Sequence, residues 1–228
     1  MRDVIIACDF KNKEELFDFL KDFEGLNPYL KIGMEIFYKE GPELVRTLKA
    51  RGFKIFLDLK LHDIPNTVEK AMKNIGTLGV EITNLHAAGG IEMMKAARRG
   101  LDSTEEGKNT KLIAVTQLTS TSQEVLEKEL LIEKPLNEVV KQYALNAKEA
   151  GLDGVVCSPL EASIIKELGL ISVTPGIRFA DDSANDQKRI ATPAFAKENG
   201  STYIVVGRSI TGAEDPVAAY KKCVKEFC

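Results

Sequence analysis

The sequence predicts an α/β protein, a (β/α)8 TIM barrel that occupies residues 1–228 as a single domain. Eight short runs rich in β-branched residues recur along the chain, and segments with helical periodicity lie between them. Such alternation is typical of a parallel sheet covered by helices. The spacing of about 28 residues per unit (228/8) suits a barrel of about 250 residues. A doubly wound sheet is the structural alternative. We favour the barrel because eight units fill the chain and no Pro/Gly/Ser-rich linker divides it.

The predicted strands are the apolar runs at residues 4–7, 30–32, 54–57, 80–83, 112–115, 154–157, 171–174 and 203–206. The predicted helices repeat apolar residues at helical spacing and cover residues 14–23, 42–50, 67–75, 91–98, 136–150 and 215–227. The long connection at residues 120–151 is predicted to be helical twice, with a capping box at residues 121–124. The polar segment at residues 178–188 is predicted to be a mobile loop at the carboxyl ends of the strands.

Composition excludes several classes of protein. The chain has 31 basic and 34 acidic side chains, a net charge of −3, which argues against a nucleic-acid binder driven by phosphate attraction. Hydrophobic residues make up 44% of the sequence, enough for a sizeable core. We find neither a signal-peptide pattern at the start nor an apolar run of about 18 residues, so we expect a cytoplasmic protein that does not enter membranes. Without a Cys-x-x-Cys pair, we expect the cysteines to be reduced structural thiols, namely Cys8, Cys157, Cys223 and Cys228.

Charged side chains stand where the predicted strands end. Strict alternation along the third strand places Asp58 and Lys60 on the side facing the barrel mouth. Lys31 on the second strand would bring another ammonium towards Lys60, and the first strand ends on Asp9. One such ion pair is often merely structural. Burying several charges at one rim costs several kcal/mol, however, so we interpret this array as a functional site.

A second polar group follows the seventh and eighth strands. Barrels frequently bind phosphate at this position. Gly207 permits close approach of the backbone, Arg208 offers a bidentate charge, and Arg178 and Gln187 lie on the preceding loop. These residues predict a phosphate site.

The two histidines leave a metal site open as an alternative. His62 and His86 could bind a metal together with Asp9 or Asp58. Lys60 in the same cluster would repel a divalent cation. We therefore expect hydrogen-bonded histidines at the rim rather than a metal site.

The motif DLKLHDIPNT at residues 58–67 resembles the signature of the orotidine 5′-phosphate decarboxylase family. Cys8 departs from the family's first-strand motif, where an aliphatic residue is expected. Five further segments share the resemblance, at residues 7–9, 31–34, 115–120, 173–178 and 205–210. The resemblance thus covers nearly the whole chain, and it is to the bacterial, single-domain form of the family. It implies the decarboxylation of orotidine 5′-phosphate to UMP and CO2 without a cofactor, the last step of pyrimidine synthesis.

The resemblance also implies residue roles. Lys60 would stabilise and protonate a carbanion at C6, Asp58 would lie beside the departing carboxylate, and Lys31 would hold Asp58 and contact ribose with Asp9. Asp63, Ile64 and Thr67 would reach across a homodimer interface into the partner's site. Thr119 would read the pyrimidine edge. The remaining substrate-binding residues are Pro175, Arg178, Gln187, Gly207 and Arg208, the last four of them at the phosphate.

Two other functions stay open at this point. The first is a Mg²⁺-dependent keto-sugar-phosphate decarboxylase or aldolase on the same scaffold, in which the carboxylates of the Asp-x-Lys-x-x-Asp motif help to hold the metal. The second is a non-catalytic sensor in which the charges only position a nucleotide.

Overall fold

The computed structural model describes residues 2–180 and 191–228. Eight parallel strands form a closed barrel in sequence order, and the last strand pairs with the first. The strands are β1 (Asp3–Ala7), β2 (Tyr29–Gly33), β3 (Ile55–Leu61), β4 (Ile82–His86), β5 (Lys111–Val115), β6 (Gly154–Val156), β7 (Ile171–Thr174) and β8 (Tyr203–Val206). The predicted (β/α)8 barrel is confirmed.

Helices connect the strands on the outside. They are α1 (Lys13–Lys21), α2 (Met34–Glu40), α3 (Pro42–Ala50), α4 (Pro65–Gly76), α5 (Gly90–Asp102), α6 (Gln123–Lys128), α7 (Leu136–Glu149), α8 (Ala162–Glu167), α9 (Pro193–Glu198), α10 (Arg208–Thr211) and α11 (Pro216–Phe227). No α-helix in the described ranges is long and apolar enough to cross a bilayer. All four cysteines are free thiols, and Cys228 alone among them is exposed.

The apolar core has two layers, because alternate residues of each strand face opposite ways. Phe56 belongs to the cluster inside the barrel, whereas Leu57 belongs to the larger cluster between the barrel and the helices. Ile5, Ile82 and Val205 join Phe56 inside. The inner cluster closes the middle of the barrel and leaves polar side chains at the carboxyl ends of the strands.

Four details of the prediction are wrong. The third strand covers Ile55–Leu61 rather than residues 54–57. The fourth strand covers Ile82–His86 rather than residues 80–83, so it reaches farther towards the barrel mouth. The N-cap of α6 is Ser122, whose side chain accepts a hydrogen bond from the backbone N–H of Val125. The capping box predicted at residues 121–124 is therefore not formed, since valine has no side-chain acceptor to return the bond. Four helices of four to seven residues were not predicted, because they are too short to show periodicity: α2, α8, α9 and α10.

Most of the segment predicted to be a mobile loop, residues 178–188, lies outside the described residues. The described residues on either side of it pair with each other: Arg178 N–H donates to the carbonyl of Ala191 at 3.0 Å, and Ala191 N–H donates to that of Gly176 at 3.1 Å. This pairing holds the two ends together beside the carboxyl end of β7.

Gly100→Ala should destabilise the fold. A β-carbon at Gly100 in α5 would overlap the backbone carbonyl oxygen of Glu69 in α4, which cannot rotate away as a side chain could. We expect a loss of about 1–3 kcal/mol from overpacking, although alanine is the better helix former. Circular dichroism measured during thermal unfolding checks this. An unchanged or higher Tm would show that α4 and α5 can move apart without loss of stability.

Candidate active site

A cavity of about 470 Å³ opens at the carboxyl ends of the strands. Its floor is apolar and includes Phe56 and Val205 from the interior of the barrel. Nine of the thirteen residues predicted for the site line it: Asp9, Lys31, Asp58, Lys60, Thr119, Pro175, Arg178, Gly207 and Arg208. The structure therefore brings together residues from the ends of strands that lie far apart in sequence.

Asp58 lies at the centre of a charged array. Its Oδ1 accepts a hydrogen bond from Lys60 Nζ at 2.6 Å, and its Oδ2 is 3.6 Å from Lys31 Nζ. Lys31 Nζ also donates to Asp9 Oδ1 at 2.8 Å. A β-carbon at Gly33 would lie 3.1 Å from both Lys31 Nζ and Asp9 Oδ1, so glycine leaves room for this ion pair. Lysine and carboxylate therefore alternate across the mouth of the barrel.

The array keeps its buried members charged. Burial opposes ionisation of Asp58, but the ammonium groups of Lys31 and Lys60 and the hydrogen bonds it accepts outweigh burial and hold its pKa below the usual value. Burial likewise opposes the charge on Lys31, but Asp58 and Asp9 raise its pKa above the usual value. A negative charge is thus fixed between two ammonium groups before any ligand arrives.

Lys60 does not follow the strict alternation of side chains that was predicted along β3. Leu57 pairs with Thr83 of β4, but the next matched pair is Leu61 with Leu85. Three residues of β3 therefore bulge opposite one residue of β4, and Lys60 has a left-handed backbone with φ of 52°. A non-glycine residue in this region costs about 1–3 kcal/mol and is typical of functional sites. The bulge, rather than plain alternation, directs Lys60 onto Asp58.

Asn84 is a site residue that sequence reasoning missed. It is fully buried in β4, and its Nδ2 donates to Asp58 Oδ1 at 2.6 Å. Its Oδ1 accepts from the backbone N–H of Lys60 at 2.8 Å. The available signal was an asparagine among the apolar residues of a strand, where this residue type is depleted. Because the predicted strand ended at residue 83, Asn84 fell outside it.

The ionisation of Asp58 should make stability depend on pH. A carboxyl whose folded-state pKa is depressed stabilises the fold fully above its unfolded pKa of about 3.9, and this contribution is lost as the pH falls through the folded-state value. The stability of the wild type relative to Asp58→Asn should therefore stay constant from neutrality down to about pH 4 and shrink as the pH falls further. Urea unfolding at a series of pH values measures this difference, and a difference independent of pH would contradict the depressed pKa.

Two arginines line the cavity beyond the carboxyl ends of β7 and β8. Arg178 is buried and donates from Nη1 to the carbonyl of Ile177 at 3.0 Å, whereas Arg208 is exposed at the first turn of α10. Gly207 comes between β8 and Arg208 and also lines the cavity. This side can attract an anion. Gln187, predicted to belong here, lies outside the described residues.

The three residues predicted to act across a dimer interface do not line the cavity of their own chain. Asp63, Ile64 and Thr67 are exposed, and 66% of the surface of Ile64 is accessible. Asp63 Oδ1 accepts from the backbone N–H of Ile64 at 2.6 Å, at the start of α4. An isoleucine exposed to this extent beside the mouth of the barrel leaves apolar surface uncovered.

The histidines lie together at the rim. The ring centroids of His62 and His86 are 5.8 Å apart, and burial, His62 and Lys60 lower the pKa of His86. In the part of the chain that the structure describes, no three side chains of His, Cys, Asp or Glu are grouped as metal ligands. The alternative metal site predicted from these histidines is therefore not assembled there.

The fold and the cavity together define a class of protein, the (β/α)8 barrel enzymes whose reactive groups lie at the carboxyl ends of the strands. The chain belongs to the family described as "Orotidine 5'-phosphate decarboxylase / HUMPS family", whose model matches residues 2–223.

Similar proteins agree with this assignment. A curated relative, orotidine 5′-phosphate decarboxylase of Bacillus cereus (strain Q1), is 56% identical over 231 residues, which is 99% of this chain and 97% of the relative. The solved structure of orotidine 5′-phosphate decarboxylase from Lactobacillus acidophilus has 44% identity and a TM-score of 0.89, covering 100% of this chain and 99% of that one. An uncharacterized conserved protein from Geobacillus kaustophilus has 46% identity and a TM-score of 0.87, covering 99% and 100%.

Proposed function

We propose that this chain is an orotidine 5′-phosphate decarboxylase that converts orotidine 5′-phosphate to UMP and CO2, the last step of UMP synthesis. The observation that carries the proposal is Asp58 held between two lysine ammonium groups above an apolar cavity floor. The 56% identity to the Bacillus cereus decarboxylase over almost the whole chain supports the choice of substrate.

The reaction needs a charge fixed in advance. When the bond between C6 and the carboxylate breaks, CO2 leaves and the electron pair stays on an sp² ring carbon. Lys60 places a positive charge where this carbanion develops, in a partly buried site where electrostatic stabilisation is strong. The ammonium then transfers a proton to C6, which completes UMP and leaves Lys60 to regain a proton from solvent.

Asp58 and Lys31 prepare the site. Asp58 holds Lys60 Nζ at 2.6 Å and lies where the substrate carboxylate would come close to it. Repulsion between the two carboxylates raises the free energy of the bound substrate, and CO2, which is neutral, relieves it. Lys31 holds Asp58 from the other side and, with Asp9, binds the ribose hydroxyls.

The rest of the nucleotide occupies the remaining cavity. Arg178, Arg208, Gly207 and Gln187 bind the phosphate, while Thr119 hydrogen-bonds the pyrimidine edge and Pro175 packs beside the substrate. Since the phosphate is remote from C6, its binding energy serves to organise the site rather than to change the reacting bond directly.

We further propose that the active unit is a homodimer in which Asp63, Ile64 and Thr67 complete the partner's site. The support is their exposure beside the barrel mouth and their absence from their own cavity lining. A second carboxylate near Lys60 would extend the alternating charge pattern. The four free thiols fit a reducing compartment, and we propose the cytoplasm.

Mixing two inactive variants should restore activity if sites are shared. In a mixed dimer of Lys60→Ala and Asp63→Ala chains, one site contains Lys60 from one chain and Asp63 from the other. Random exchange of subunits should recover about a quarter of wild-type activity, because half of the dimers are mixed and each has one intact site. Assays before and after unfolding and refolding the mixture measure this. Recovery no greater than the sum of the separate variants would show that each chain builds its own site.

The decisive test of function is direct. The purified chain is mixed with orotidine 5′-phosphate and excess EDTA, and the loss of the orotate-ring ultraviolet absorbance is followed. Rapid loss without added metal supports the proposal, and the same reaction in D2O should place deuterium at C6 of UMP. Saturable binding without turnover would instead indicate the nucleotide sensor. Turnover of keto-sugar phosphates with Mg²⁺ would indicate the other alternative, which the comparisons do not support.

A further inference from the structure

Asn84 occupies a position that the β3–β4 ladder leaves open. Between the pairs Leu57–Thr83 and Leu61–Leu85, β3 contains residues 58–60 where β4 contains Asn84. The bulge deprives the backbone of β3 of its regular partners on β4. The side chain of Asn84 takes their place, since its Oδ1 accepts from the backbone N–H of Lys60 at 2.8 Å.

The same amide also binds the reactive carboxylate. Asn84 Nδ2 donates to Asp58 Oδ1 at 2.6 Å, and this oxygen is also the acceptor for Lys60 Nζ at 2.6 Å. One planar side chain thus fixes the backbone of Lys60 and the partner of its ammonium group at once. Asn84 is fully buried, so water does not compete for either contact.

We infer that Asn84 is a positioning residue for the decarboxylation: its amide holds the bulged backbone of Lys60 and the carboxylate of Asp58 in one rigid unit that directs the Lys60 ammonium at C6. The inference rests on the proposed function. It predicts that losing the amide slows the chemical step far more than it weakens binding, because Asn84 supports the reacting groups without lining the substrate cavity.

The first comparison is Asn84→Ala against Thr83→Val. Thr83 is the neighbouring residue of β4, equally buried, and its hydroxyl donates to the carbonyl of Leu57 at 3.1 Å. Each variant removes one buried polar group from the same strand, but only Asn84 contacts Asp58 and Lys60 in this way. Because misplacement by about 1 Å can cost about 100-fold in rate, we expect kcat to fall roughly 100-fold in Asn84→Ala and less than about threefold in Thr83→Val. KM and the Kd for UMP should change little in both.

The second comparison uses Asn84→Asp, which keeps the shape. Its protonated carboxyl can donate to Asp58 and accept from Lys60, as the amide does, whereas its ionised form repels Asp58. The charged or titratable groups around this position are Asp58 and Lys60 of β3, Lys31 of β2, and the rim histidines, His62 and His86. Adjacent carboxyls raise each other's pKa, so kcat relative to wild type should decline as the pH rises from about 5 to about 9. If Asn84→Ala fails to fold, Asn84→Asp still tests the inference.

The outcomes separate the two proposals. A wild type that does not decarboxylate orotidine 5′-phosphate overturns the proposed function and this inference together. An active wild type overturns the inference alone if Asn84→Ala keeps kcat within about threefold, if Thr83→Val loses as much, or if Asn84→Asp follows the wild-type pH profile.

Discussion

We expect Lys60→Ala to lose decarboxylation while the barrel remains folded. Electrostatic stabilisation of a developing charge contributes about 10²–10³ in rate and proton donation about 10²–10⁴, and in this proposal one ammonium supplies both, so kcat should fall by at least about 10⁴-fold. The fold should persist because Asp58 keeps its contacts with Asn84 and Lys31. Stopped assays with high enzyme concentration measure the residual rate, and circular dichroism measures the fold.

Lys54→Ala is the matched control. Lys54 precedes the same strand at its opposite end, where it forms an ion pair with Asp3 at 3.2 Å, outside the cavity lining. Its removal should leave kcat near the wild-type value. Binding of UMP to Lys60→Ala, measured by calorimetry, shows whether the site is intact. If Lys60→Ala binds UMP and still turns over near the wild-type rate, Lys60 is not the proton donor.

The barrel could be predicted because its signals are local. Each strand is a short β-branched run such as residues 203–206, and the structure gives the same bounds for β8 (Tyr203–Val206). The residues of the charged array could also be predicted, since the carboxyl ends of parallel strands must meet at one end of a barrel. The placement of Asp9, Lys31 and Asp58 at the cavity could be predicted from this topology alone.

The geometry at Lys60 could not be predicted in this way. Alternation assumes an even ladder, but β3 has extra residues opposite Asn84, and a bulge depends on pairing between strands that are distant in sequence. The left-handed backbone of Lys60 is likewise set by the surrounding contacts, because a lysine has no local preference for it. Asn84 was missed for the same reason, since its role exists only once the bulge exists.

Arg208→Ala should lower kcat/KM for orotidine 5′-phosphate. The expected loss of transition-state stabilisation is about 2–4 kcal/mol, the usual cost of removing one partner of a charge pair that becomes buried. That corresponds to roughly 30- to 1000-fold. Arg208 is exposed, so its full contribution requires that the bound phosphate bury the contact. Arg46→Ala is the control, because Arg46 lies on α3 outside the cavity lining and pairs with Glu43 at 2.8 Å.

The nucleoside orotidine, which lacks the phosphate, separates a phosphate contact from general damage to the site. If Arg208 acts only through the phosphate, wild type and Arg208→Ala should have equal kcat/KM for orotidine, and the difference between them should appear only with the nucleotide. An equal loss with both substrates would mean that Arg208 supports the ribose or pyrimidine region instead. An unchanged kcat/KM for the nucleotide would remove Arg208 from the phosphate site, and would leave Arg178 as the arginine of the described cavity lining to bind it.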